Sequence, residues 1–177
     1  MSELSQVVAA YLAGIVDGEG CIALYMPKRK TVKSQGGFTF LPQIQIANTD
    51  REWLEHIGKI AEVKYDIQSK SIASKKWKAN SYTLRFPPES VRILLPQIYP
   101  YLFVKKINAE VLMFHFEHGP KREDSGKGKM RTDEKFDLSK YLVSIMHRLN
   151  MRGAGAKEIK EQAIREFREY KQSTLTF

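Results

Sequence analysis

Two glycines on one face of a single helix constrain this chain more than any other feature. Residues 11–20 read Tyr-Leu-Ala-Gly-Ile-Val-Asp-Gly-Glu-Gly. On a helix of 3.6 residues per turn the region divides into two unlike faces. Val8, Leu12 and Ile15, flanked by Tyr11 and Val16, make a bulky face suited to the chain's own core. Ala9, Ala10, Ala13, Gly14, Asp17 and Gly18 fall opposite, with Ala10, Gly14 and Gly18 at i, i+4 and i+8. Glycine inside a helix costs roughly 1 kcal/mol relative to alanine, so the pair needs a compensating contact. Close approach of another helix backbone, as in small-xxx-small packing, supplies one. Gly18 and Gly20 then end the helix and leave Glu19 at its mouth, where an acid is costly unless a cation joins it. The plainer alternative is a glycine-containing core helix followed by a turn.

Composition narrows the partners. Lys and Arg number 29 against 20 acids, a net charge of +9 over 177 residues. That excess fits a polyanion, with nucleic acid leading. A hydrophobic share of 42% supports a sizeable core in one domain spanning 1–177. The single Cys21 excludes an intrachain disulfide framework and a cysteine zinc site. No apolar run reaches a membrane span, and the acidic N-terminus lacks the features of a signal or transit peptide, so no membrane role is expected.

Alternation organises the next stretch. A strand is expected over 21–26, with Ile22, Leu24 and Met26 on one side and Cys21, Ala23 and Tyr25 on the other. Pro27 ends it, and a polar loop carries Lys28, Arg29, Lys30 and Lys33. A second strand over 38–47 turns Phe40, Ile44 and Ile46 inward and Thr39, Leu41, Gln43 and Gln45 outward. Gln is an adaptable base reader in a major groove, and flanking lysines suit phosphates; a solvated hairpin is the plainer reading. Thr49 and Glu52 have the spacing of a capping box, opening a helix that buries Trp53, Leu54, Ile57 and Ile60.

A second hairpin follows. Val63, Tyr65 and Ile67 alternate with Lys64, Asp66 and Gln68, and a loop then carries Lys70, Lys75 and Lys76. On the fourth strand Ser81, Thr83 and Arg85 alternate with Tyr82, Leu84 and Phe86. Pro87-Pro88 starts a helix through Val91, Leu94 and Leu95, and a further helix ends at His118-Gly119. Two more helices are expected over 133–151 and 156–172, divided by Gly153-Ala154-Gly155. The last carries Ile159, Ala163, Phe167 and Tyr170 on one side, with Glu158/Gln162 and Glu161/Arg165 paired outside. The fold class is α+β, with a core over about 5–118 and a C-terminal helical extension over about 133–172. His115 and His118 have a zinc-compatible spacing but no third ligand nearby, so they read as structural.

The helix of the opening paragraph resembles the signature of the LAGLIDADG homing endonucleases. Leu12, Ala13, Gly14, Asp17 and Gly20 match that pattern, while Ile15, Val16, Gly18 and Glu19 are conservative departures. The order helix, two strands, helix, two strands, helix is also that family's α-β-β-α-β-β-α core, and the resemblance covers about residues 7 to 118. It implies a curved four-stranded antiparallel sheet lying along a DNA groove. Its polar face would be lined by Gln, Thr, Lys and Arg side chains, with Tyr25, Asp66, Gln68, Lys70 and Ser81 among the contacts. With only one signature present, it implies a homodimer joined through Ala10, Ala13, Gly14, Asp17 and Gly18.

The same resemblance assigns chemistry. Glu19, with Gly18 beside it, would hold the catalytic metal, expected to be Mg²⁺ with Mn²⁺ as a substitute. Asn48 stands where the family often has a water-orienting Gln, and Arg51 and Lys105 match its basic residues around the scissile phosphates. The implied function is metal-dependent cleavage of both strands of a long, near-palindromic DNA target across the minor groove, leaving short 3′ overhangs. RNA maturation, with intron RNA as partner, and a catalytically silent DNA-binding regulator are the alternatives. Single-motif members are typically encoded in organellar introns, so a chloroplast or mitochondrion is expected.

Overall fold

Apolar residues spaced two apart set the sheet. In the computed structural model, which describes residues 3–28, 39–71, 80–120 and 133–175, these residues build β1 (Gly20–Tyr25), β2 (Leu41–Asn48), β3 (Asp66–Ser71) and β4 (Asn80–Phe86). The strands form one sheet in the order β1-β2-β4-β3. β4 pairs antiparallel with both neighbours, so Ile46, Leu84 and Ile67 share one rung and Ile44 faces Phe86 on the next. Ile44, Ile46, Leu84 and Phe86 are buried, which fixes that face of the sheet as the inner one.

Helices α1 (Gln6–Gly18), α2 (Arg51–Ile60), α3 (Pro88–Ile98), α4 (Lys106–His118), α5 (Asp133–Leu149) and α6 (Ala156–Leu175) complete the chain, with a 3₁₀ turn at Tyr99–Tyr101. The expected α-β-β-α-β-β-α order is the observed one. None of the described helices is long and apolar enough to cross a membrane. Two compact units are distinguished, 1–22 with 42–109 and 23–41 with 110–177.

In the first unit, α1 packs on α3 and on the 3₁₀ turn, and α2 and α3 pack on β4. Leu12, Val16, Leu54, Ile57, Leu94, Leu95 and Ile98 are buried there beside the inner strand residues. Trp53 and Ile60, expected in the core, are only half-buried. The start of α2 differs from expectation as well. Its N-cap is Asp50, whose carboxylate accepts the Trp53 N–H at 3.0 Å, so the expected Thr49–Glu52 capping box does not form. Asp outranks Thr at an N-cap, and Asn48 Oδ1 accepts the Asp50 N–H at 2.9 Å, shaping the turn one residue later.

In the second unit α5 and α6 lie against each other. The turn between them places Gly153 at φ +98° and Gly155 at φ +77°, a conformation that L side chains resist. Leu142, Ile145, Met146, Ala163 and Phe167 are buried, and Phe114 meets Phe167 edge-on at 5.8 Å. His115 is buried, with Nδ1 3.2 Å from Ser139 Oγ and its ring 5.9 Å from Phe40; the His118 ring lies 4.2 Å from Phe114. Both histidines pack within this unit.

Arg148 bridges the two helices, its Nη1 donating to Glu166 Oε1 at 3.0 Å and its Nη2 to Glu166 Oε2. Gln162 also donates to Glu166, at 2.9 Å, rather than pairing with Glu158 as expected. The Arg148 hydrogen bonds hold the Glu166 carboxyl below the usual carboxylate range. A carboxyl depressed by folding stabilises the fold above its ordinary pKa and loses that contribution as pH falls through its folded value. Glu166→Gln should therefore lower the thermal midpoint at pH 7, with the deficit shrinking at pH 3. Equal deficits at the two pH values would assign Glu166 a role independent of its charge.

Candidate active site and nucleic-acid face

Helix α1 begins at Ser5, whose Oγ accepts the Val8 N–H at 3.3 Å, and ends at the C-cap Glu19, whose N–H returns to Ile15 O at 2.9 Å. The residues it buries are Ala9, Leu12, Ala13 and Val16, at i, i+3, i+4 and i+7. Ala13 is 0% exposed, so it belongs to the protomer's own core and not to an interface with a partner. The outward face instead carries Val7, Ala10, Tyr11, Gly14 and Gly18, all exposed. Small side chains at 9 and 13 let the helix sit close to the core, while the bulky Val7 and Tyr11 face out. The expected division by side-chain size was rotated around the axis for that reason. A Cβ built at Gly14 or Gly18 meets nothing within 4 Å, so neither glycine is required by the protomer's own packing. Gly20 differs: a Cβ there would sit 2.8 Å from the Val16 Cα and O, so the start of β1 can pass the last turn of α1 only as glycine.

Asp17 stands on the flank between these faces and serves its own chain. Its Oδ2 accepts the Phe103 N–H at 2.7 Å and the Val104 N–H at 3.1 Å, and its Oδ1 accepts the Lys105 N–H at 2.8 Å. Its backbone carbonyl accepts the Lys105 ammonium. Asp17, expected at the dimer interface, acts within the protomer as a clasp on the segment leading into α4. The clasp sets Lys105 at the C-terminal end of α1, two residues before Glu19, where a cation complements the helix dipole. It also presents Phe103, 90% exposed, and Val104, 67% exposed. Sequence reasoning missed both, although an adjacent apolar pair ahead of Lys105-Lys106 was a signal.

The Glu19 side chain is exposed and has no hydrogen-bond or ion-pair partner among the described residues. Asn48 and Arg51 have local partners. The Asn48 carbonyl oxygen holds the Asp50 turn, and Arg51 Nε pairs with Glu55 at 2.9 Å, both side chains being well exposed. No cluster of three or more His, Cys, Asp or Glu able to hold a metal occurs among the described residues. At the tip of α1 the protomer therefore offers the solvent-facing carboxylate of Glu19, two residues beyond the Asp17 that holds Lys105.

The outer face of the sheet is polar by register. Gln45, Arg85 and Asp66 form one rung across β2, β4 and β3, and Ala47, Thr83 and Gln68 the next. Gln45 donates its amide to Gln43. Asp66 and Gln68 are exposed and Ser81 is half-buried; Thr83, expected on the open face, is only 8% exposed. Lys64 is exposed ahead of β3, its carbonyl accepting Ser90 Oγ at 2.6 Å. In the second unit Tyr25 and Lys28 are exposed, and the Thr39 N–H bonds Pro27 O at 3.2 Å. Arg29, Lys30, Lys33, Lys75 and Lys76, and the Lys70 side chain, lie outside the described residues.

A family model described as LAGLIDADG endonuclease matches residues 12–115. The chain belongs to that family. No curated protein sequence matches it. Among solved structures it is similar to the homing endonuclease I-CvuI in complex with its target in the presence of Ca, at 18% identity and a TM-score of 0.66, covering 88% of this chain and 92% of that one. The archaeal intron-encoded homing endonuclease I-Vdi141I complexed with DNA gives 15% identity and a TM-score of 0.61, covering 89% and 94%. The LAGLIDADG homing endonuclease I-SmaMI bound to cleaved DNA gives 15% and 0.59, over 81% of this chain but 45% of that one. At these identities the likeness bears on the fold.

Within the LAGLIDADG signature, then, Leu12 and Ala13 fill the core, Gly14 and Gly18 clear the outer face, Asp17 clasps 103–105 and Glu19 emerges at the tip. Asp17→Ala would leave three backbone N–H groups without their acceptor, a loss of about 1–3 kcal/mol for each one kept from water. A lower denaturation midpoint is expected, together with faster amide exchange at Phe103, Val104 and Lys105. Unchanged exchange at those amides would remove Asp17 from this role.

Proposed function

We propose that this chain is a homodimeric, site-specific DNA endonuclease that hydrolyses phosphodiesters at paired Glu19 carboxylates. The observation that carries the reading is the single exposed Glu19 at the end of a helix whose outer face is bare. Two copies joined along Ala10, Gly14 and Gly18, with Phe103 and Val104 covering the side, would bring two carboxylates to one two-fold axis. Duplex DNA has the same symmetry in backbone direction, so one such site addresses both strands.

The donor set fits a hard divalent cation. Glu19 offers carboxylate oxygen, Gly18 a carbonyl at the negative end of the α1 dipole, and no soft ligand stands beside them in the signature. Mg²⁺, with Mn²⁺ as a substitute, would supply activation of water and neutralisation of phosphate charge there. The chain's own residues do the rest. The Lys105 ammonium, held against the end of α1, stabilises charge that builds on the phosphate as a water oxygen attacks phosphorus and the leaving oxygen departs. Arg51, on an exposed side chain, can exchange Glu55 for a phosphate oxygen. Asn48 spends its carbonyl on the Asp50 turn and keeps its amide N–H groups to orient water. Retention of an exposed Glu19 speaks against the silent-regulator alternative.

Glu19→Gln should abolish cleavage with Mg²⁺ while leaving target binding in Ca²⁺ near that of the native chain. If the variant cuts at the native rate, Glu19 is not the metal-binding acid.

The bare face yields a separate expectation. A Cβ at Gly14 meets nothing within 4 Å on an exposed helix face, and Leu favours the helix over Gly, so Gly14→Leu should fold normally. Inserted twice at a two-fold contact, it should part the helices and give an inactive monomer or loosened dimer by sedimentation. A native chain that sediments as a monomer at micromolar concentration while still cutting DNA would overturn the proposed site.

A further inference from the structure

On the central strand of the outer face, Arg85 stands in register with Asp66 on one side and Gln45 on the other. Opposite charges facing across a ladder usually pair. These do not: neither the Arg85 nor the Asp66 side chain has a hydrogen bond or ion pair among the described residues. Arg85 Nε is shielded from solvent as well as unpartnered, so that donor is desolvated and unspent. Such a group is destabilising in the free protein and gains more than an exposed one when acceptors arrive. Asp66, on the edge strand, is exposed. Gln45, the other neighbour, has its amide N–H turned to Gln43 and gives Arg85 no recorded bond.

We infer that Arg85 and Asp66 act as one reader for a G·C base pair. Resting on the proposed function, this assigns a base identity to part of the target. Neighbouring strands lie ~4.8 Å apart, so the two side chains rise side by side and present donors followed by an acceptor. The major-groove edge of G·C presents the complement: the N7 and O6 acceptors of guanine, then the N4 amino donor of cytosine. Arg85 donates to the guanine pair and Asp66 accepts from cytosine. An A·T pair in the same place sets the adenine N6 amino group against the guanidinium and the thymine O4 against the carboxylate, so two attractions become two repulsions. The absent Arg85–Asp66 ion pair is part of the device, because a closed pair would have neither group to offer. In a homodimer the preference appears at two symmetric target positions.

The test is selection of DNA targets from a randomised duplex library by the full-length native chain in Ca²⁺, repeated with Arg85→Ala, Arg85→Lys and Asp66→Asn. The native chain should fix a G·C pair at one symmetric pair of positions. All three variants should relax that same base pair, lowering discrimination there on the order of ten- to a hundred-fold, with other positions unchanged. Arg85→Lys keeps the charge and loses the two-pronged donor, so relaxed preference with retained affinity separates base reading from phosphate anchoring. Preference unchanged in Arg85→Lys, with affinity falling equally for all sequences in Arg85→Ala, would overturn the inference. So would Arg85 and Asp66 variants that alter different base pairs. Either result leaves the endonuclease reading intact, whereas a native chain that enriches no sequence at all would count against that reading itself.

Discussion

The carboxylate of Asp17 ties two distant stretches of chain together, and the geometry of the site depends on that tie. Three backbone N–H groups at 103–105 converge on it, and the Lys105 ammonium reaches the carbonyl of the same residue. With Asp17 committed to its own chain, the rotation of α1 is set: 9, 12, 13 and 16 face the core, while 14 and 18 face away. Glu19 then leaves the helix at its tip, and Gly20 lets β1 pass close to Val16. Acid, lysine and bare helix face are consequences of one fastening.

The outward face of α1 makes sense only with something laid against it. Among the described residues nothing lies within 4 Å of a Cβ at Gly14 or Gly18, and a helix pays for glycine without return when the position stays in water. Phe103 and Val104, thrust outward by the same clasp, enlarge the apolar area beside it. In the proposed dimer a symmetric partner would answer both features and would supply a second carboxylate, so that stability of the assembly and completeness of the site would be the same requirement.

The sheet divides its labour by the period of two. One set of positions, Ile44, Ile46, Leu84 and Phe86, disappears into the core and locks the register. Because a slip of one residue would exchange the faces, the same lock decides which polar residues stand in one rung on the outside. Gln45, Arg85 and Asp66 are neighbours because Ile44, Ile46 and Leu84 are buried where they are. The order of polar residues on the outer face is thus held in place by packing on the inner one.

Much of this was written in local pattern. Alternation over 38–47 and 81–86 marked β2 and β4 and their faces, and the small residues, double glycine and terminal acid of 10–20 marked the helix, its end and the exposed Glu19. Those features repeat at the period of the element that bears them, so a one-dimensional reading can find them. The local signals failed where two solutions competed within one residue. Asp50 displaced Thr49 as the cap because the Asn48 side chain turns the chain there, and Ala9 and Ala13 took the core because small side chains allowed a closer approach than Val8 and Ile15. Tertiary structure alone decided the role of Asp17, whose partners lie 86 to 88 residues away. It alone set Arg85 beside Asp66, since cross-strand neighbours are chosen by register and not by spacing along the chain.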